Sequence, residues 1–207
     1  MTLTARTERG PAIGRPTDAD LTRRILEVTA ELLIVEGYAS LRIERVARAA
    51  QCGKAAIYRR YADKASLVAA AISVHLEVGA VPDTGALRTD LLEHAQQNQR
   101  NLDGSDLAVR RGMQAMFEPD VFPLLWDQFF RFRRDQGAQI ISRALGRGEL
   151  PADADPDVIL DTIAGLTLYR QSVKGLRIDE RHYLAVIDAL IAHPPRRLAG
   201  AERTDHS

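Results

Sequence analysis

The chain has 207 residues, with 28 Lys and Arg, 28 Asp and Glu, five His and a single Cys. That length allows one or two domains with a sizeable core, and zero net charge excludes both a uniformly basic nucleic-acid binder and a strongly acidic disordered chain. One Cys excludes an internal disulfide framework and a Cys-based zinc finger. No apolar run approaches the roughly 20 residues of a membrane helix, and residues 1–14 lack the apolar core of a signal peptide, so a cytoplasmic protein is expected.

The charge is unevenly placed. Residues 1–67 carry 12 basic and 8 acidic side chains, or +4, and residues 68–207 carry 16 and 20, or −4. Within residues 42–64 seven basic side chains (Arg42, Arg45, Arg48, Lys54, Arg59, Arg60, Lys64) stand against Glu44 and Asp63. A basic cluster beside an acidic remainder fits one polyanion-facing end, or simply a solvated helix face.

Taken in order, residues 1–15 read as a mobile basic arm with Arg6, Arg9 and Arg15. Thr17 is a candidate N-cap for a first helix whose apolar positions are Leu21, Ile25, Val28, Leu32 and Leu33, and Gly37 stops it. Ser40 is a candidate cap for a short helix to Ala50, and Gln51-Cys52-Gly53 breaks that helix. A third short helix spans residues 54–61, and a longer fourth spans about 63–78, ahead of Pro82-Asp83. Further helices follow at Leu87, Leu91 and Ala95, over residues 106–118, and over 122–146 after Pro119. Gly148 to Pro151 is a turn. Asp155-Pro156 opens a helix to about Lys174, and Asp179 opens a last one to about His193, stopped by Pro194-Pro195. Residues 196–207 read as a disordered tail. No period-2 alternation marks a strand, so the expected fold is all-α.

The sharpest signal lies between Val46 and Tyr58. Two short helices meeting across a tight turn need a small residue at the crossing, which Ala47 supplies, and a buried aliphatic in the second helix, which Ile57 supplies. The second helix would then lie in a major groove with its first turn, Gly53-Lys54-Ala55-Ala56, toward the base edges. Lys54 suits guanine acceptors or phosphate, and Tyr58 and Arg59 lie one turn further on.

Here the sequence resembles the tetracycline-repressor (TetR) family of bacterial transcription regulators. The resemblance covers about residues 14–70 at motif level. It rests on Gly14-Arg15-Pro16, on Leu33-Ile34-Val35-Glu36-Gly37-Tyr38, on Val46-Ala47-Arg48-Ala49-Ala50, and above all on Lys54-Ala55-Ala56-Ile57-Tyr58-Arg59-Arg60-Tyr61-Ala62-Asp63-Lys64. It implies an all-α homodimer with a three-helix DNA-binding head (residues 16–64) and an effector-binding and dimerisation body (residues 65–195). It also implies a double-stranded operator and a small effector as partners; the aromatic cluster between Phe117 and Phe132 makes an apolar effector the expectation, and no metal or cofactor is expected. By position, Lys54, Ala55, Tyr58 and Arg59 match groove-facing residues, Tyr58 and Lys64 match phosphate contacts, and Ser40 and Arg42 sit where the family often touches phosphate. The turn departs from the pattern, with Gln51 at the usual Gly, Cys52 at the usual aliphatic and Gly53 at a common capping Ser. A left-handed Gln51 would cost roughly 1 kcal/mol relative to Gly.

Other residues carry two readings each. Tyr61 reads as a core aromatic, and Arg60 as either a solvated charge or a contact. Cys52 is a packed small hydrophobe or a redox thiol. All five Phe and the one Trp fall in Phe117, Phe122, Trp126, Phe129, Phe130 and Phe132. With Met113, Met116 and Tyr169, they read as an effector pocket or a filled core. Phe122, Trp126, Phe129, Phe130 and Arg133 can share one helical face; His94 and Gln97 are polar handles or core caps. Ile163, Leu166, Tyr183, Ile187 and Leu190 form apolar faces for a two-fold four-helix bundle or for the monomer's own core. No phosphate loop, nucleophile elbow or ligand-spaced His pair supports an enzyme. The remaining rival is a helical ligand-binding or adaptor protein that does not bind DNA.

Overall fold

A computed structural model describes residues 18–102 and 114–197. Among these the chain is helical, with no strand and a single isolated bridge, Ala154 to Arg196. The head holds α1 (Asp18–Ser40), α2 (Ile43–Ala49), α3 (Lys54–Tyr58) and α4 (Lys64–Ser73). The body holds α5 (Leu87–Leu102), a 3-10 turn (Ala115–Phe117), α6 (Phe122–Leu125), α7 (Arg131–Gly146), α8 (Pro156–Leu168) and α9 (Glu180–Ala192). A π turn, Trp126–Phe130, joins α6 to α7, and a second, Tyr169–Val173, prolongs α8.

Local chemistry accounts for most helix ends. Gly37 takes φ 74° and interrupts α1. Asp63 and Ser66 form a reciprocal capping box on α4, and Asp179 and His182 do so on α9. Asp155 accepts from the Asp157 and Val158 amides ahead of Pro156. Gly148 turns the chain after α7 with φ 74°. Ser40 is not the cap of α2: the chain is still turning there, Arg42 occupies the N-cap, and no side chain caps it.

Three expectations of extent are corrected. α3 is five residues long, because Arg59 and Arg60 already bond back as a closing turn. α4 ends at Ser73, not Val78: the His75 and Leu76 N–H groups close it with tighter bonds to Ile72 O and Ser73 O, and the Glu77 N–H, which would continue it, donates to Asn101 Oδ1 at 2.8 Å. The first tail residues are pinned: the Arg196 guanidinium binds the Asp153 carboxylate, and the Arg197 N–H donates to Asp153 O at 2.9 Å. The arm at 1–15, the Thr17 cap, the helix expected over 106–113 and the tail beyond 197 lie outside the described residues.

Two apolar cores result. One joins the head (Ile25, Leu33, Leu41, Val46, Ile57, Leu67, Val68) to Ala115, Met116, Val121 and Leu125. The other joins α5, α7, α8 and α9 through Leu87, Leu91, Ile140, Ile141, Ile159, Ile163, Tyr183 and Ile187. The boundary expected at residue 64 therefore cuts through the first core, since α4 and residues 115–125 belong to it. Ile57 is completely buried and ties the five-residue α3 to the rest. Ile57→Ala should cost about 2–5 kcal/mol of stability, seen in urea unfolding; a change below about 0.5 kcal/mol would contradict this account of the head.

Candidate nucleic-acid interface

The turn between α2 and α3 forms as the motif requires. Cys52 N–H bonds to Ala47 O at 2.9 Å, and Gln51 takes φ 54°, alone among the described non-glycine residues in the left-handed region. Ala47 and Ile57 are buried at the crossing. Cys52 packs against the head core, and burial pushes its thiol upward. That favours the unreactive protonated form and the packing role over the redox one.

With Ile57 inward, Lys54, Ala55, Tyr58 and Arg59 are all exposed on the outer side of α3, Tyr58 with 51% of its surface accessible. Ser40 and Arg42 are exposed beside them, and the Arg42 guanidinium donates to Ala39 O at 2.7 Å. Lys54 Nζ lies 3.0 Å from Glu44 Oε1. The hydrogen bond between them holds the lysine above and the glutamate below their ordinary pKa values. The sequence had counted Glu44 only as a charge; its position in the first turn of α2 was the available signal.

Lys64 behaves differently. Its ammonium donates to Tyr38 O at 3.0 Å and lies 3.9 Å over the Tyr38 ring, so it is engaged inside the head and not presented on the α3 face. Tyr38 in turn donates to Asp120 of the body; burial, then that carboxylate, raise the phenol well above its usual range. Arg60 is not a solvated charge: it bonds to Thr22 Oγ1 at 2.9 Å and Ala56 O at 2.6 Å, and pairs with Asp18, bracing α3 against α1. Tyr61 packs on the head core as expected.

In the body the expected pocket residues that are described differ in exposure. Met116 and Phe129 are buried, Trp126 and Phe130 are half-buried, and Phe117 and Tyr169 are 52% and 53% exposed. Met113 lies outside the described residues. Two causes are visible. Met116 and Phe130 pack toward the head core. The π turn also shifts the register, which a regular 3.6-residue period would not anticipate. The rings still touch in sequence, Phe122 to Phe130 at 6.0 Å and Phe129 to Phe130 at 5.2 Å between centroids.

Three of the five residues expected on a dimer face are placed inward within this chain. Ile163, Tyr183 and Ile187 are within 3% of complete burial in the chain's own core, while Leu166 and Leu190 are partly buried against it. Tyr183 OH and Thr167 Oγ1 are 2.9 Å apart. Their apolar stripe is used to pack α8 and α9 onto α5 and α7. The outward stripes carry Val158, Thr162, Gly165 and Tyr169 on α8 and the π turn, and Arg181, Ala185 and Ala189 on α9.

Arg133 forms the polar centre of the body with only 3% of its surface exposed. Its Nε reaches Asn98 Oδ1 at 2.8 Å. Its Nη1 reaches Val78 O, Gln97 Oε1 and Gln136 Oε1, each at 2.7 Å. Its Nη2 reaches His94 Nδ1 at 2.8 Å and His94 O at 2.7 Å. These acceptors are all neutral. Burial, then Arg100, lower the guanidinium to about 10, so it stays charged at neutral pH. Burial, then Arg133, lower His94 to about 3, so the imidazole is neutral and accepts from Arg133. His94 and Gln97 thus act as core-capping partners.

A short basic helix, exposed on one side and pinned by one aliphatic on the other, defines a helix-turn-helix DNA-binding head on an all-helical body. Comparison with known proteins gives the family. Residues 25–71 match the bacterial regulatory proteins of the tetR family, and residues 81–190 match the tetracyclin repressor-like C-terminal domain. The chain is 30% identical over 192 residues to an uncharacterized HTH-type transcriptional regulator of Mycobacterium tuberculosis, covering 90% of this chain and 95% of that one. It is 32% identical over 157 residues to the DNA-binding transcriptional repressor TetR of Mycobacteroides abscessus, covering 73% and 82%. Its fold matches that of MexZ, a repressor responsible for antibiotic resistance in Pseudomonas aeruginosa, with TM-score 0.64 at 22% identity over 86% and 98% of the two chains. The chain belongs to the tetR family and is a DNA-binding transcription regulator. Among the described residues no cluster of His, Cys, Asp or Glu could hold a metal ion, and no helix is long and apolar enough to cross a membrane.

The His94 shift has a sign. An unfolded histidine titrates near 6.5, so between about pH 6.5 and 3 the unfolded chain binds a proton that the folded chain excludes. This contribution is complete above pH 6.5 and is lost as acid is added, by up to about 1.4 kcal/mol per pH unit. His94→Gln should therefore flatten the decline of unfolding free energy between pH 6.5 and 4.5 by close to one proton. An unchanged slope would show that His94 is not held neutral.

Proposed function

We propose that the protein is a dimeric repressor that grips a two-half-site operator through α3 and is released by a small, largely apolar molecule acting on the body. The observation that carries the reading is the outward set Lys54, Ala55, Tyr58 and Arg59 above buried Ile57. Lys54 and Arg59 supply donors for guanine edges or phosphate, Ala55 lets the backbone approach, and Tyr58 reaches the sugar–phosphate backbone. Ser40 and Arg42 flank them as phosphate contacts. Lys64 supports this role indirectly, by fixing the α1–α4 corner through Tyr38. The acidic body keeps DNA to the head end. Repression is supported by the likeness to the Mycobacteroides abscessus transcriptional repressor.

The dimer is assigned to the outward stripes of α8 and α9, where Gly165, Ala185 and Ala189 would let two helix pairs approach closely. Such a pair of heads reads half-sites about one DNA turn apart, or slightly more. The effector reading is supported by the buried Phe129 ring and the half-buried rings of Trp126 and Phe130 on the segment that joins body to head. A helical ligand-binding protein without DNA binding is disfavoured by the family and by the exposed basic helix. The family consists of regulators, which supports the absence of catalysis.

Titration with the DNA upstream of the protein's own coding sequence, and with duplexes selected from a random library, tests the core of this reading. Binding should be sequence-selective and salt-sensitive, and protection should span two half-sites. Lys54→Ala and Arg59→Ala should each weaken the selected site by about 1–3 kcal/mol; equal affinity for all duplexes would overturn the assignment. Trp126 is the only tryptophan. Its emission should shift on adding an apolar ligand that also lowers operator affinity. A library giving release of DNA with no change in that emission would place the effector elsewhere.

A further inference from the structure

Between α4 and α5 the chain runs through residues 77–80 without helix or strand. Their carbonyls have no regular backbone ladder, and each is taken by a body side chain. Asn101 Nδ2 donates to Glu77 O at 2.7 Å, Arg133 Nη1 to Val78 O at 2.7 Å, Gln136 Nε2 to Gly79 O at 2.8 Å and Gln97 Nε2 to Ala80 O at 3.0 Å. The Glu77 N–H donates back to Asn101 Oδ1 at 2.8 Å. Gln97 and Gln136 also accept from Arg133 through their carbonyl oxygens, so strap and clamp form one network around a buried guanidinium.

Its location matters as much as its bonding. Leu67, Val68, Ala69 and Ala71 of α4 share one core with Val46 and Ile57, so α4 and the reading helix move as a unit. The strap is where that unit leaves for the body. The head's other attachment runs through Met116, Val121 and Leu125, with Ser73 Oγ to Gln128 Oε1 at 2.9 Å and Tyr38 to Asp120. That segment continues directly into α7, whose first turn carries Arg133. Arg133 thus bonds the first connection directly and follows the second along the chain. A guanidinium holds five hydrogens in a fixed plane, so it can grip several acceptors at set angles, as a lysine cannot.

We propose that Arg133 is a positioning residue for DNA binding: by gripping Val78 O directly, and Gly79 and Ala80 through the Gln136 and Gln97 carboxamides it holds, it fixes the exit of α4, and so the angle at which α3 is presented, relative to the body. The inference rests on the two-headed reading above. It predicts that the residue governs the geometry of two-head binding and not the affinity of either head alone.

The test uses the full chain and duplexes selected from a random library by the unaltered protein, re-synthesised as single half-sites and as pairs with spacing varied base pair by base pair. Arg133→Met keeps a long unbranched side chain and removes every donor. In the folded variant, backbone amides of residues 74–86 should exchange faster by about tenfold while those of α1 stay protected. Affinity for a single half-site should stay within about twofold, and affinity at the best spacing should fall about tenfold with a flatter spacing profile. Arg133→Lys, charged but without the fork, should move the profile in the same direction. If Arg133→Met does not fold, Gln97→Ala with Asn101→Ala removes the partly exposed outer bonds and should give the same changes at smaller size. A spacing profile and exchange pattern identical to the unaltered protein in a folded variant would overturn the proposal. Equal losses on single and paired half-sites would also overturn it, by showing a purely structural role. If the unaltered protein selects no duplex, the regulator reading fails first, and that failure is distinct from either.

Discussion

The head depends on a single apolar core to which no helix contributes enough to stand alone. α2 has seven residues and α3 five, far below the length at which an isolated helix persists in water. They exist because Val46, Ala47, Ala50 and Ile57 are withdrawn from water against Ile25, Leu33, Leu41 and Leu67. Each buried aliphatic contributes on the order of 1.5–3 kcal/mol, enough to outweigh a left-handed Gln51 and an uncapped α2. Because the inward residues hold the fold, the outward residues of α3 are left to be set by what they touch.

That same core extends past the head into residues 115–125, and this explains how a chain of zero net charge can have two ends. Basic side chains concentrate on the short helices. Several are then used internally: Arg60 braces α1, Lys64 caps the Tyr38 corner, and Arg45 pairs with Glu36 at 2.8 Å. What remains outward on α3 is a small set of donors, not a broad basic surface, which fits reading of base edges better than indiscriminate phosphate binding. Glu44 beside Lys54 has the same tendency, since an exposed carboxylate there repels phosphate while orienting the lysine.

Much of this was legible from local chemistry. Gly37, Gly148, Asp155 and Asp179 announce helix ends because their effect is exerted within a few residues, and Gln51 could be recognised as a left-handed residue because the turn requires one. The helix-turn-helix face was legible for the same reason: buried Ile57 determines which neighbours point outward. What was not legible depends on partners distant in sequence. α4 stops at Ser73 because the Glu77 N–H that would continue it is taken by Asn101, and the chain beyond is held by residues 97, 101, 133 and 136. An apolar stripe on a helix does not say which neighbour it meets, so Ile163, Tyr183 and Ile187 could be assigned to a partner when the chain itself buries them. The π turn at Trp126–Phe130 leaves no mark in a 3.6-residue pattern, and the aromatic face was drawn as if it were absent.

The buried polar hub follows from the same logic as the buried apolar one. A guanidinium withdrawn from water must have its hydrogens satisfied, and here the acceptors come from α5, α7 and the strap. Apolar contacts between head and body would tolerate sliding, because they are non-directional. Hydrogen bonds from a planar, rigid donor and the carboxamides around it to a succession of backbone carbonyls do not. In the proposed two-headed regulator, whose output would be the relative placement of two reading helices, a directional joint is needed where α4 gives way to the body. Arg133 with Gln97, Asn101 and Gln136 supplies directional bonds there, in a chain whose head and body are otherwise joined mainly by hydrophobic packing.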